Sequence, residues 1–520
     1  MPWPVQFHRP SFLKHDESGL DHESVSRFRR LTANNERART PFFMGLVTIG
    51  RNYPDQLKIG RPQPPLPSES PLPLPVAALK ALTQKLLARK GWRLGEWQLP
   101  IRKLQFADTD FQQKDMVTLG RAIESGHLSQ LQDLDLSDNP HLNRFCMARL
   151  VRALESGGLT SLQSFNLRDT DSSDGCVDQL FAAISTGCLP ALVRLEIGGQ
   201  VASFHAESGE HFANAVRSGN LSRLQVLNFS HNGLKSHDAL AIMGALVDQR
   251  LPLAWLDLSG NDLTKRGHQG REIDGIKALC GAIEKGNLQH LRLLDMSGSW
   301  LSASLSFLYK ALESEKLPAL RVLCLGSQKH GPIDPNWVPH MTLVQDWALK
   351  LQRDIRDAYN RPNAAGIEVL KMTGVALSLP EQQEFLGLLS SGRLSALRIL
   401  DFSDIKRAPF CMNHFVQALN NGRVHQLRTL SLSRNNIASF QLPTLLAAAP
   451  VCFRNLRVLE LDYNSLDRES IVHFCNAIKA NYFPQLEMLS VANSGTPLKW
   501  ERLYKSGYKG QMILSFGESD

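Results

Sequence analysis

The sequence predicts an α/β solenoid with a parallel sheet on its concave side and helices outside, and three observations carry the prediction. An L-x-x-L-x-L signature recurs, beginning at Ile101, Leu131, Leu162, Leu192, Leu224, Leu253, Leu291, Leu320, Ile367, Leu397, Leu427, Leu456 and Leu486. Successive spacings are 30, 31, 30, 32, 29, 38, 29, 47, 30, 30, 29 and 30 residues, about 13 repeats of near-constant length. Within each unit the hydrophobic period changes from two to 3.6, the passage from a strand to a helix. Repeats occupy nearly all of the chain beyond residue 100 of 520, so one array stacked on its neighbours replaces a set of separate globules.

The unit that begins at Leu131 shows how a repeat is built. Leu134 and Leu136 alternate with Asp133, Asp135 and Ser137, which marks a short strand with one buried face. Asn139 follows, where a side-chain amide can satisfy backbone groups left between stacked coils, with counterparts at Asn232, Asn261, Asn435 and Asn464. Met147, Leu150, Val151 and Leu154 then form one helical stripe, which Gly157 and Gly158 end.

The segments LDLSDN, LNFSHN, LDLSGN and LSLSRN resemble the strand-and-turn core of leucine-rich repeats. Their long units, with ends such as ALESGGL and AIEKGNL, resemble the ribonuclease-inhibitor-like subclass, which implies a horseshoe. The asparagine is replaced by Thr170, Gln200, Ser299, Gln328, Val375 and Ile405, so local regularity is expected to lapse there. The two long spacings place insertions near 265–272 and 327–340.

Outside the array, twelve of the 27 prolines lie in residues 1–75, a density that favours extended chain and predicts a disordered leader dispensable for folding. Residues 76–100 read as an N-terminal capping helix, 101–495 as the solenoid and 496–520 as a C-terminal cap and tail. The beginning of the chain lacks the basic and apolar pattern of a Sec signal peptide, and no apolar run is long enough for a membrane span. Eight scattered cysteines without a C-x-x-C pair predict thiols in a soluble protein of a reducing compartment, with neither zinc site nor disulfide framework.

No zinc-protease, phosphate-loop, dinucleotide-binding or serine-hydrolase motif occurs, and sixteen histidines show no metal-ligand spacing. The reading is therefore no enzyme, no catalytic residue, no metal and no cofactor. Cys176-Val-Asp178 resembles the Cys-x-Asp of bacterial leucine-rich ubiquitin ligases but falls at a repeat helix, where a packing role is expected. Sequons at Asn220 and Asn228 are read as unglycosylated, the second lying in a strand.

Register supplies the candidate site. The residue between the second and third leucines of the signature points away from the core, and the thirteen are Gln105, Asp135, Asn166, Glu196, Asn228, Asp257, Asp295, Cys324, Lys371, Asp401, Ser431, Glu460 and Ser490. Six acids against one base form a ladder in a protein of net charge +8, which points to a partner protein with a basic surface and away from nucleic acid on that face. Trp255 and Tyr463 are expected as outward aromatic anchors beside Asp135, Glu196, Asp257, Asp295, Asp401 and Glu460. A second reading stays open, in which Asp in LDLS serves solubility and turn geometry.

The expected function is a non-enzymatic protein-interaction scaffold. A Pro-, Ser- and Arg-rich leader joined to such an array resembles leucine-rich type III effectors that pathogenic bacteria inject into host cells, which implies a virulence role. The alternative is a ubiquitin-ligase substrate receptor or a GTPase-activating leucine-rich repeat protein.

Overall fold

The computed structural model describes residues 57–58, 102–109, 111–170, 176–199, 208–263, 275–299, 304–326, 354–361, 366–407, 410–492 and 502–513. The capping helix expected at 76–100, both expected insertion sites, 265–272 and 327–340, and most of the leader lie outside these residues. The chain divides into two compact units, Pro2–Leu253 and Ala254–Asp520.

In the first unit six short strands pair in parallel in chain order: β1 (Leu57–Lys58), β2 (Lys103–Gln105), β3 (Asp133–Asp135), β4 (Ser164–Asn166), β5 (Arg194–Glu196) and β6 (Val226–Asn228). The last five each occupy the third to fifth positions of a signature. Between them run α1 (Gln113–Glu124), α2 (Arg144–Glu155), α3 (Cys176–Ser185) and α4 (Ser208–Arg217), and α5 (Ser236–Asp248) follows β6. The middle residue of each strand, such as Leu104, Leu134 and Phe165, is fully buried, and so are Leu150 and Leu154 on the predicted stripe of α2. Phe181, Phe212 and Phe229 meet edge to face at 4.9–5.8 Å between ring centres, which fills the space between α3, α4 and β6.

The second unit repeats the plan with β7 (Trp255–Asp257), α6 (Gly275–Glu284), β8 (Leu293–Asp295), α7 (Leu305–Glu313), β9 (Val322–Cys324), β10 (Val369–Lys371), β11 (Ala376–Leu377), α8 (Leu379–Ser390), β12 (Ile399–Asp401), β13 (Lys406–Arg407), α9 (Met412–Asn421) and β14 (Thr429–Ser431). It continues with α10 (Leu442–Ala447), α11 (Ala449–Cys452), β15 (Val458–Glu460), α12 (Arg468–Lys479), β16 (Met488–Ser490), α13 (Arg502–Lys505) and β17 (Gln511–Ile513). The parallel order is β7-β8-β9-β10-β12-β14-β15-β16-β17, while β11 and β13 form a separate pair. Strand β17 adds a rung from the segment read as a C-terminal cap.

The buried asparagines do what the repeats require. Asn139 donates to the carbonyls of Phe106, Leu136 and Ser137 at 2.8–3.0 Å, and its Oδ1 accepts the N–H of Phe111 at 2.9 Å, so it ties its own turn to the preceding repeat. The Thr170 hydroxyl donates to the carbonyl of Leu167 at 2.9 Å. The backbone N–H of Ile405 is taken by Asn435 of the next repeat at 2.9 Å, the same bond that the N–H of Asn435 itself makes to Asn464 at 3.1 Å. Helix ends stack closely as well: a Cβ at Gly158 would run into the carbonyl of Ile123, one repeat back, so glycine is required there.

Candidate protein-binding face

Every residue of the outward ladder falls at the last position of its strand, as register requires. Six of the thirteen close the turn that follows. Oδ1 of Asp135 accepts the N–H of Ser137 at 3.0 Å and its hydroxyl at 2.7 Å. The same two-residue link joins Asp257 to Ser259 at 3.0 Å, Asp295 to Ser297 at 2.9 Å and Asp401 to Ser403 at 3.2 Å. Asn166 and Asn228, uncharged, make it to Arg168 and Ser230 at 3.1 and 2.9 Å. An Asx turn needs the carbonyl-type oxygen and not the charge, so turn geometry accounts for these positions in aspartate and asparagine alike. Asn228 is buried and its side-chain oxygen is occupied in this way.

Burial separates the ladder into two parts. Asp257 and Asp295 are register partners on β7 and β8 and are both buried. Burial and, second to it, the Asp295 carboxylate push Asp257 up to about 8, and burial also raises Asp295. Asp257 therefore contributes little negative charge at neutral pH, and burial opposes the charge on Asp295. Glu196 is buried too, raised by burial and opposed by Arg194, whose Nη1 lies 2.8 Å from its Oε1. Glu460 is mostly covered and is pushed up to about 7 by burial and then by Asp462 and Asp401. Lys371 stands in register between Cys324 and Asp401, so the one base of the ladder sits among its acids. Asp135, its strand neighbour Asp133 and Asp401 are half-open, and burial raises Asp133 and Asp135 as well.

The two aromatic residues differ from expectation. Trp255 is on the outward side of β7 but only 7% exposed, and its ring meets Tyr359 edge to face with 5.9 Å between centres. Tyr359 belongs to a helical stretch over 354–360 that lies in the long interval before Ile367. Tyr463 is not on a strand face at all. It takes φ 53° in the turn after β15, the left-handed place that Asp138, Asp169, Asp404 and Arg434 fill in their own repeats, and the Arg434 guanidinium lies 3.8 Å from its ring centre.

Most of the described cysteines are packed inside the repeats. Cys146, Cys188, Cys280, Cys324 and Cys452 are buried free thiols, and Cys411 and Cys475 are partly exposed. Among the described residues no cluster of His, Cys, Asp and Glu is placed to hold a metal ion, and no helix is long and apolar enough to cross a membrane.

One outward row was not read from the sequence. The second signature position carries Arg292, Arg321, Arg398, Arg428 and Arg457 in the second unit, interrupted by Glu368 and followed by Glu487. The first unit has Arg102, Gln132, Gln163, Val193 and Gln225 at the same place and the second unit begins with Ala254, so writing out that column alone would have located a basic edge from Arg292 onward.

Strand, turn and helix recurring along both units, with buried turn asparagines at Asn139, Asn232, Asn261, Asn435 and Asn464, make this a leucine-rich repeat solenoid. No protein-family model and no curated protein matches the chain. Among solved structures it is similar to an internalin of Listeria monocytogenes, with 14% identity and a TM-score of 0.39 over 76% of this chain and 83% of that one. It is also similar to a chain of the yeast Rad7 and Elc1 complex, with 14% identity and a TM-score of 0.41 over 95% of this chain and 94% of that one.

Proposed function

We propose that the protein is a non-enzymatic protein-binding scaffold whose partner lies along the outward faces of the strands. The observation that carries the reading is the half-open polar face of the first unit, where Lys103, Gln105, Asp133, Asp135, Ser164, Asn166 and Arg194 stand in register on adjacent strands. Parallel strands about 4.8 Å apart hold such side chains at fixed spacing, the arrangement a folded protein surface can complement with many small contacts. Asp133 and Asp135 provide its acidic centre, so a partner with lysine or arginine at that point is favoured. The composition of residues 1–75 supports delivery as a type III effector into a host cell, where reduced cysteines such as Cys146 and Cys452 persist.

Site-specific photocrosslinking tests the face. A benzophenone amino acid at Asp135 or Ser164 should give a discrete adduct in cells, whereas the same group at Leu240 or Val472, exposed on α5 and α12, should not. Adducts from the helix positions alone would move the partner to the convex side and refute the proposal.

A further inference from the structure

We propose that repeats ten to twelve carry a separate site for a dianionic phosphate group, formed by Arg398, Arg428 and Arg457. This goes beyond the scaffold reading and does not depend on it. A pocket of about 210 Å³ is lined by these three arginines and by the amides of Gln426, Asn455 and Gln485. All six come from corresponding places, the residue just before the signature and its second position, at the upstream edge of β12, β14, β15 and β16.

The backbone fixes the arginines in a row. The carbonyl of Arg398 accepts the N–H groups of Arg428 and Thr429 at 2.7 and 3.0 Å, and that of Arg428 accepts those of Arg457 and Val458 at 2.7 and 2.9 Å. The backbones of the three arginines are thus held one strand spacing apart, and Asn455 is steadied by donating to the carbonyl of His425 at 2.9 Å.

Charge selects the ligand. Glu368, buried, is shared between Arg361 at 2.7 Å and Arg398 at 3.1 Å, and Glu487 lies 3.5 Å from Arg457. Among the described residues no carboxylate pairs with Arg428, the central member. Arg361, Arg398, Arg428 and Arg457 face Glu368 and Glu487, with Asp354 also acting on Arg398, so arginines outnumber carboxylates where like charges are held together. A phosphate monoester, with a charge of about −1.5 to −2 at neutral pH and three acceptor oxygens, can take up the excess and engage several donors at once. A single carboxylate would use fewer of the guanidinium and amide donors. The same chemistry comes from a free phosphorylated metabolite or from a phosphorylated side chain.

The experiment is thermal unfolding of the full chain against rising inorganic phosphate, O-phosphoserine or an oligodeoxythymidine, with ionic strength held constant by sodium chloride. Wild type should show a saturable rise in Tm with phosphate or O-phosphoserine. Saturation by both points to the free group, and preference for O-phosphoserine points to a modified side chain. Arg428→Gln should raise the half-saturating concentration at least ten-fold. Arg428→Lys, which retains charge and stem but loses the fork, should fall between, and Arg292→Gln, at the same signature position outside the pocket, should match wild type. The absence of a saturable shift with either monoanionic-to-dianionic probe, equal weakening by Arg292→Gln and Arg428→Gln, or a response to the oligodeoxythymidine alone would overturn the proposal.

Discussion

Asp257 and Asp295 stand side by side as register partners on β7 and β8, two buried carboxyl groups where a sequence reading places two exposed negative charges. Each spends one oxygen on the N–H two residues ahead. Their position is explained by the turn that ends each strand, and their ionisation is opposed by their surroundings.

A pH dependence follows from Asp257. Its folded value is raised from 3.8 to about 8, so between these limits the folded protein holds a proton that the unfolded chain gives up. Stability from this group therefore falls as pH rises through that window and levels off above it. Asp257→Asn retains the turn-closing oxygen, as Asn166 and Asn228 do naturally, and removes the ionisation. The variant should melt above wild type at pH 8, with the difference shrinking towards pH 5. A constant difference across that range would refute the assignment.

The asparagine turns should differ in worth according to their bonds. Asn464 donates to the carbonyls of Leu432 and Leu461 at 3.1 and 2.8 Å, and accepts the N–H groups of Asn435 and Ile437 at 3.1 and 3.0 Å. Asn464→Ala strands several buried groups in two repeats and should cost about 3–5 kcal/mol, whereas Thr170→Ala, which loses the hydroxyl bond to Leu167, should cost about 1 kcal/mol. Urea denaturation of the two variants compares them directly, and equal losses would mean that the asparagine does not couple repeats.

The repeats were legible because each strand has only three residues and each is bound to a fixed leucine, so period and register are written locally. That brevity is also where the reading of Tyr463 failed. Alternation continued past Leu461 would place Asp462 outward and Tyr463 on the core side, so the outward reading of Tyr463 did not follow from register; the strand ends at Glu460 and the chain turns left-handed at Tyr463. Trp255 was misjudged for another reason: the ring against it comes from Tyr359, about a hundred residues later, in an interval without the repeat's periodicity. The arginine row was visible in the sequence, but only one outward column was read for charge.

The contact between Trp255 and Tyr359 distinguishes a packing role from an anchor role. An exposed anchor would lose partner affinity on truncation and leave the free protein unchanged. A buried ring that helps hold the 354–360 stretch, alongside the Arg361 to Glu368 pair at 2.7 Å, should instead destabilise the free protein. Trp255→Ala should therefore cost about 3–5 kcal/mol, the range for removing a large buried aromatic, and should speed tryptic cleavage after the exposed Arg356. Leu258→Ala, a fully buried core residue on the opposite side of the same repeat, should cost a comparable 2–5 kcal/mol and leave Arg356 as resistant as before in native conditions. If Trp255→Ala melts with wild type and its cleavage at Arg356 is unchanged, the indole is not held by this packing, and its outward position on β7 returns it to the partner-binding face.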